Sequence, residues 1–198
     1  VGSNFATIET LDALAAIAHD CTDCPLAQGR KNVVFGAGSP TADVLIVGEG
    51  PGQKEDELGL PFVGRSGQLL DKLLGEIDLQ REDVYIANVV KCRPPRNRDP
   101  RPDEIDACKG YLKRQIELID PTVVLTLGNF STKLLLNTTR GITAMRGRAY
   151  EWWGRFLIPT FHPAAALRGG EPVTNDIRAD LVMVRNVIDG NLRYIDEL

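Results

Sequence analysis

The chain has 198 residues, 43% of them hydrophobic and 25% charged, with a formal net charge of −4. That balance allows one α/β domain with a real core and excludes a surface coated in positive charge, though not a local basic patch. No apolar run reaches the about 18 residues of a membrane span, and no charged-then-apolar leader opens the chain, so the expectation is a cytoplasmic protein with no membrane partner. The opening Val1-Gly2-Ser3 lacks an initiator Met and is set aside as a processed or added end, leaving one domain over 4–198.

Ile8, Leu11, Leu14, Ala15 and Ala18 recur at three and four residues, which predicts a helix over 8–20 with Thr7 as N-cap. Residues 26–40 are mixed and end in the turn signal GAGSP. VLIV at 44–47 reads as a buried strand, and 66–77 as the helix after it. VYIANVV at 84–90 is a second buried strand, running into the proline-rich CRPPRNRDPRP, which cannot be regular structure. A long helix follows over 103–119, with Pro102 suited to its first turn. TVVLTL at 122–127 is a third strand, and 130–136 a short helix. Residues 149–161 predict a hairpin turning at Trp153-Gly154, followed by a helical turn at 164–168 and a last helix over 175–188. Strands alternating with helices predict a mainly parallel sheet covered on both faces.

The stretch from Gly48 to Gly67, GEGPGQKEDELGLPFVGRSG, joins the first strand to its helix. Connectors of this kind usually take about 2–6 residues. One this long, rich in glycine and carboxylate and carrying the aromatic Phe62, reads as the wall of a site at the carboxyl end of a strand. It lacks the GK[ST] ending of a phosphate-binding P-loop.

Cys21 and Cys24 form a C-x2-C pair, and Cys92 and Cys108 follow far along the chain. Four cysteines in two groups fit tetrahedral zinc or an iron–sulfur cluster. Two unrelated buried pairs, or a redox dithiol at 21–24, compete with that reading. Lys91, Arg93, Arg96, Arg98 and Arg101 crowd one stretch opposed only by Asp99, either as a phosphate-contacting loop or as a solvated one.

GEGPG from Gly48, then Glu55-Asp56, PFVG at 61–64, NVVKCRPP at 88–95 and HPAAALR at 162–168, on this four-cysteine framework, resemble the family 4 uracil-DNA glycosylases. These are iron–sulfur members of the uracil-DNA glycosylase superfamily, and the resemblance runs from Cys21 to about Arg185. It implies an α/β fold, a three-layer αβα sandwich around a central, mostly parallel four-stranded sheet. It implies a 4Fe–4S cluster on Cys21, Cys24, Cys92 and Cys108, and a monomer that acts on uracil-containing single- and double-stranded DNA. The implied reaction is hydrolysis of the bond between uracil N1 and deoxyribose C1′, leaving an abasic site.

On that resemblance, Phe62 stacks on a flipped-out uracil and Asn88 accepts from its N3–H while donating to O4. Gly50 and its neighbours, Pro51 included, line the O2 side, and Glu55 crowds C5 against thymine. His162 donates to O2 and stabilises the departing anion. Relatives with a general-base Asp carry it where this chain has Gly50, so Glu49 is the first choice for positioning water or countering charge on the sugar. Arg93, Arg96, Arg98, Arg146, Arg148 and Arg168 are expected at DNA phosphates, and Leu167 in the gap left by the flipped base.

Each residue has a bland alternative: Phe62 a buried anchor, Asn88 an ordinary strand end, His162 a cap, residues 55–57 a solvated acidic face, Leu167 core. His19 reads as solvated or packed beside the cysteines. The alternative at the level of function is a non-catalytic or covalent uracil-DNA-binding iron–sulfur protein of the same fold. A covalent branch uses a His in a loop near the second cysteine pair, and Cys92 to Cys108 contains no His. An electron-transfer protein explains the cysteines but not Phe62, Asn88 or His162.

Overall fold

The computed structural model describes residues 5–192. Residues 1–4 and 193–198, which include the opening tripeptide and the end of the expected domain, lie outside the described residues. Within them, β1 (Ala37–Gly38), β2 (Val44–Gly48), β3 (Tyr85–Asn88), β4 (Val123–Leu127), β5 (Tyr150–Trp152) and β6 (Arg155–Thr160) form one sheet in the order β1-β3-β2-β4-β6-β5. The four central strands are parallel, and β1 and β5 are antiparallel edges. The expected four-stranded centre is present and is widened by two short edges. β5 is the first arm of the expected hairpin. β1 is two residues long and offers no alternation to read.

Successive strand residues point to opposite layers. Leu45, Val47, Ala87 and Val124 pack with Leu14 of α1 (Leu11–His19) and with Tyr111, Leu112 and Ile116 of α4 (Pro102–Ile119). Val44, Ile46, Ile86 and Leu125 pack with Leu70 and Leu74 of α3 (Arg65–Gly75) and with Ile177, Leu181 and Val184 of α8 (Glu171–Ile188). Strands covered on both faces explain why VLIV and TVVLTL read as unbroken apolar runs. The result is a three-layer sandwich with no described helix long and apolar enough to cross a membrane.

Several boundaries move for local reasons. Thr10, not Thr7, caps α1, its hydroxyl accepting from the Ala13 N–H at 3.2 Å. The long loop contains α2 (Gln53–Leu58), whose six residues are too few to show a period and which stops at left-handed Gly59. α5 (Asn129–Leu135) and α7 (Pro163–Gly169) fall close to expectation, and the four-residue α6 (Ile142–Met145) is a further short helix. α8 begins at Glu171 rather than Asn175, with proline in its first turn. The proline-rich loop is irregular as expected, with a single turn at Pro95–Asn97 in which Arg96 and Asn97 take positive φ.

Candidate active site

The carboxyl ends of the central strands open into one cleft of about 900 Å³. Glu49, Gly50, Pro51, Glu55, Phe62, Asn88 and His162 all line it, so the residues assigned to the base in the sequence lie together.

Strand register places Gly48 of β2 opposite Asn88 of β3. A β-carbon on Gly48 would lie 2.4 Å from Asn88 Oδ1 and 2.8 Å from the Phe62 ring, so only glycine lets the amide and the ring meet here. Asn88 is 1% exposed, and its Oδ1 is buried with no hydrogen-bond partner. An unpaired buried acceptor costs about 1–3 kcal/mol. In a cleft wall such an atom is poised for a donor brought by a ligand. The backbone carbonyl of Asn88 is fixed instead from behind. Buried Lys91 donates to it at 2.9 Å and to Gln115 Oε1 at 2.5 Å.

The Phe62 ring is buried in the wall, 5.5 Å from the His162 ring and tilted 31° from it. His162 is the N-cap of α7, with Nδ1 accepting from the Ala164 N–H at 3.1 Å. The neutral ring therefore carries its proton on Nε2. Burial, and then the charge of Arg168, push its pKa down to about 4 against the opposing influence of Glu55. His162 is thus a cap, and the cap fixes which nitrogen can donate. Half-buried Glu49 is pushed up to about 7, first by burial and then by the charge of Asp99. It titrates where a general base is useful.

Of the acids at 55–57, Glu57 is at the surface beside Lys54, while Glu55 and Asp56 are turned into the fold. Glu55 Oε1 accepts from the Val63 and Gly64 N–H groups, each at 2.9 Å. Asp56 is buried and accepts from the Lys31 N–H at 2.9 Å and the Asn32 N–H at 3.4 Å. Glu55, which the sequence reading aims at uracil C5, is first of all a clamp within its own loop.

The arginines expected at DNA phosphates differ in the partners they have within the fold. Arg146 forks onto fully buried Asp180 with two bonds of 2.9 Å and also reaches the Asp176 carbonyl at 2.7 Å. Thr160 donates to the same carboxylate at 2.6 Å, so Asp180 ties α8 to β6 and, through Arg146, to the end of α6. Arg98 is bidentate on buried Glu104, at 2.8 and 2.6 Å. Both guanidinium groups are paired with buried carboxylates, and Arg98 also lines the cleft. Arg93 bonds Asn97 Oδ1 at 2.8 Å, while Arg96, Arg148 and Arg168 are exposed. Leu167 is 42% exposed, which removes the core alternative for it. The cleft also gathers Lys54, Arg65 and Lys133, which no motif marks. Their only signal is position, each on a helix that follows the carboxyl end of a strand.

Cys21, Cys24, Cys92 and Cys108 line a second, small pocket with Arg30, Lys91 and Tyr111, and none is in a disulfide. Exposed His19 lies beside this region, its carbonyl accepting from Arg30 at 3.2 Å. Burial raises the thiols of Cys24 and Cys92 and pushes Cys108 up to about 12. The Lys91 N–H donates to Cys108 Sγ at 3.3 Å and Arg30 to Cys92 Sγ at 3.4 Å, contacts that suit thiolates. Among the described residues no three Cys, His, Asp or Glu side chains close round a single ion. Four sulfurs lining one pocket are a donor set that suits tetrahedral zinc and an iron–sulfur cluster alike.

A known family model matches most of the chain. The model described as Uracil DNA glycosylase superfamily matches residues 35–181, which include all six strands. The chain belongs to that superfamily. Its similarity within it is to the type-4 branch. The type-4 uracil-DNA glycosylase of Thermotoga maritima is 47% identical over 162 residues, covering 81% of this chain and 84% of the relative. That of Saccharolobus solfataricus is 43% identical over 198 residues, covering 96% and 91%. That of Archaeoglobus fulgidus is 44% identical over 170 residues, covering 81% and 84%.

Proposed function

We propose that this chain is a DNA-repair glycosylase that hydrolyses the N-glycosidic bond of deoxyuridine in DNA, releasing free uracil and leaving an abasic site. The observation that carries the reading is the buried, unpartnered Oδ1 of Asn88 in the cleft wall against Phe62. Uracil N3–H supplies the missing donor and O4 accepts from the amide, whereas cytosine presents the opposite pattern. Phe62 is the stacking face, and Gly50 and Pro51 bound the O2 side.

As the bond to C1′ breaks, negative charge collects on uracil. A neutral Nε2–H on His162 stabilises it at O2 without adding a buried positive charge beforehand. Glu49 counters the positive charge on the sugar and, ionised near neutral pH, accepts a proton from the attacking water. No carboxylate at position 50 competes for that task.

We read Cys21, Cys24, Cys92 and Cys108 as ligands of a 4Fe–4S cluster. Bound there, it supplies iron–thiolate cross-links and positive charge against four thiolates. Those bonds would tie the end of α1 to the loop after β3 and to α4. Partly buried Arg93 and exposed Arg96, Arg148 and Arg168, with Lys54, Arg65 and Lys133, are the phosphate contacts on single- or double-stranded DNA, and Leu167 fills the vacated stack. The enzyme acts as a monomer.

The test is chromatographic identification of the free base released from oligonucleotides carrying one deoxyuridine, with thymidine and deoxycytidine controls. Uracil alone is expected in solution, with an alkali-labile strand and no denaturant-stable adduct on protein. A folded protein that releases no base would overturn the proposal.

A further inference from the structure

Phe62 is a non-glycine residue in the left-handed region, with φ +50. A bulky residue held there is strained and persists only where its surroundings over-determine it. The surroundings are specific. Arg81, in the segment between α3 and β3, donates Nη1 to the Phe62 carbonyl at 3.0 Å and Nη2 to the Pro61 carbonyl. The same Nη1 lies 3.0 Å from Asp71 Oδ1, which fixes the guanidinium. The next two N–H groups, of Val63 and Gly64, are those that Glu55 accepts. A cation therefore holds the two carbonyls and an anion the two amides of the four residues around the ring. On the far side, a β-carbon on Gly67 would lie 1.7 Å from the Phe62 carbonyl oxygen, so α3 presses directly on this turn. Arg81 does not line the cleft or the thiol pocket.

We propose that Arg81 is a positioning residue for the base-stacking face: its fork on Pro61 and Phe62 holds the strained turn so that the ring is set before a base arrives. This rests on Phe62 being the stacking face. A planar fork meeting two successive carbonyls is a task for arginine rather than lysine, whose ammonium acts as a point charge. Preorganisation of this kind moves the ordering cost from binding to folding.

The experiment compares wild type, Arg81→Ala, Arg81→Lys, Phe62→Ala and the Phe62→Ala/Arg81→Ala double variant. The readouts are the inhibition constant of free uracil and single-turnover uracil release from a single-stranded oligonucleotide, on protein shown to be folded by circular dichroism. Arg81→Ala is expected to weaken free uracil and slow release by about tenfold, within the about hundredfold that an ångström-scale misplacement can reach. Arg81→Lys is expected to fall between it and wild type, and the double variant to be no worse than Phe62→Ala alone. A merely structural role would lower the melting temperature and leave the uracil constant of the folded protein unchanged. Unchanged constants in folded Arg81→Ala, or in Arg81→Lys should the alanine variant not fold, overturn the proposal. So does additivity in the double variant. If Phe62→Ala itself leaves uracil binding unchanged, the stacking reading fails and takes this inference with it, an outcome distinct from a failure of Arg81 alone.

Discussion

Two side chains in the cleft have protonation states set by position rather than by residue type. His162 stays neutral above about pH 4, held so by burial and by Arg168. Glu49 is ionised only above about 7. With Glu49 working as the carboxylate, kcat/KM rises by about tenfold per pH unit below 7 and levels above it. His162 adds no bend in that window. Asp99→Asn removes a charge that helps to push Glu49 up, so the bend moves to lower pH. Glu49→Gln flattens the profile and lowers the rate by about 10²–10⁴-fold. Initial rates on a uracil-containing oligonucleotide between pH 5 and 9 check all three, and a flat wild-type profile would remove Glu49 from the water-activating role. The residue types at 49, 88 and 162 were legible in the sequence. The push of Asp99 on Glu49 was not, because it joins residues from two loops that only the sheet brings together.

Among the elements, the strands and long helices followed from apolar runs and three/four spacing, while α2, α6 and β1 carry too few residues for any period. Side-chain commitments between elements were equally hidden. Arg146 and Arg98 have the composition of phosphate contacts, yet each ends on a fully buried carboxylate, Asp180 and Glu104. An arginine in a loop looks the same in sequence whether its partner is a phosphate or an aspartate from a distant helix. Asp180→Asn removes the buried one of the two carboxylates on half-buried Arg146, leaving the partly exposed Asp176 at 3.0 Å, and is expected to destabilise the fold by about 3 kcal/mol. Urea denaturation measures this, and uracil release by the remaining folded protein should be unchanged. A stability loss below about 0.5 kcal/mol, the usual range for an unremarkable surface change, would mean that Asp180 does not lock α8 to β6 and the end of α6.

At the scale of the whole molecule, a net charge of −4 coexists with a cleft bordered by Lys54, Arg65, Lys133 and Arg168. DNA affinity then depends on local cations, and Lys133→Ala should weaken binding to all sequences alike and reduce the slope of log K against log salt by about 1. An unchanged slope would place Lys133 away from phosphate. The four cysteines, 21 to 108, were readable as a set, but their gathering at one pocket beside Lys91 depends on the fold that also fixes the Asn88 carbonyl. The account turns on that residue, the one cleft side chain whose buried oxygen has no partner within the described residues. Single-turnover release of free uracil from one oligonucleotide, by wild type and Asn88→Ala side by side, tests it most directly. The account predicts stoichiometric uracil from wild type and a rate about 10²–10³-fold lower from the variant, the cost of losing one preorganised polar contact. Equal rates from the two proteins would contradict it.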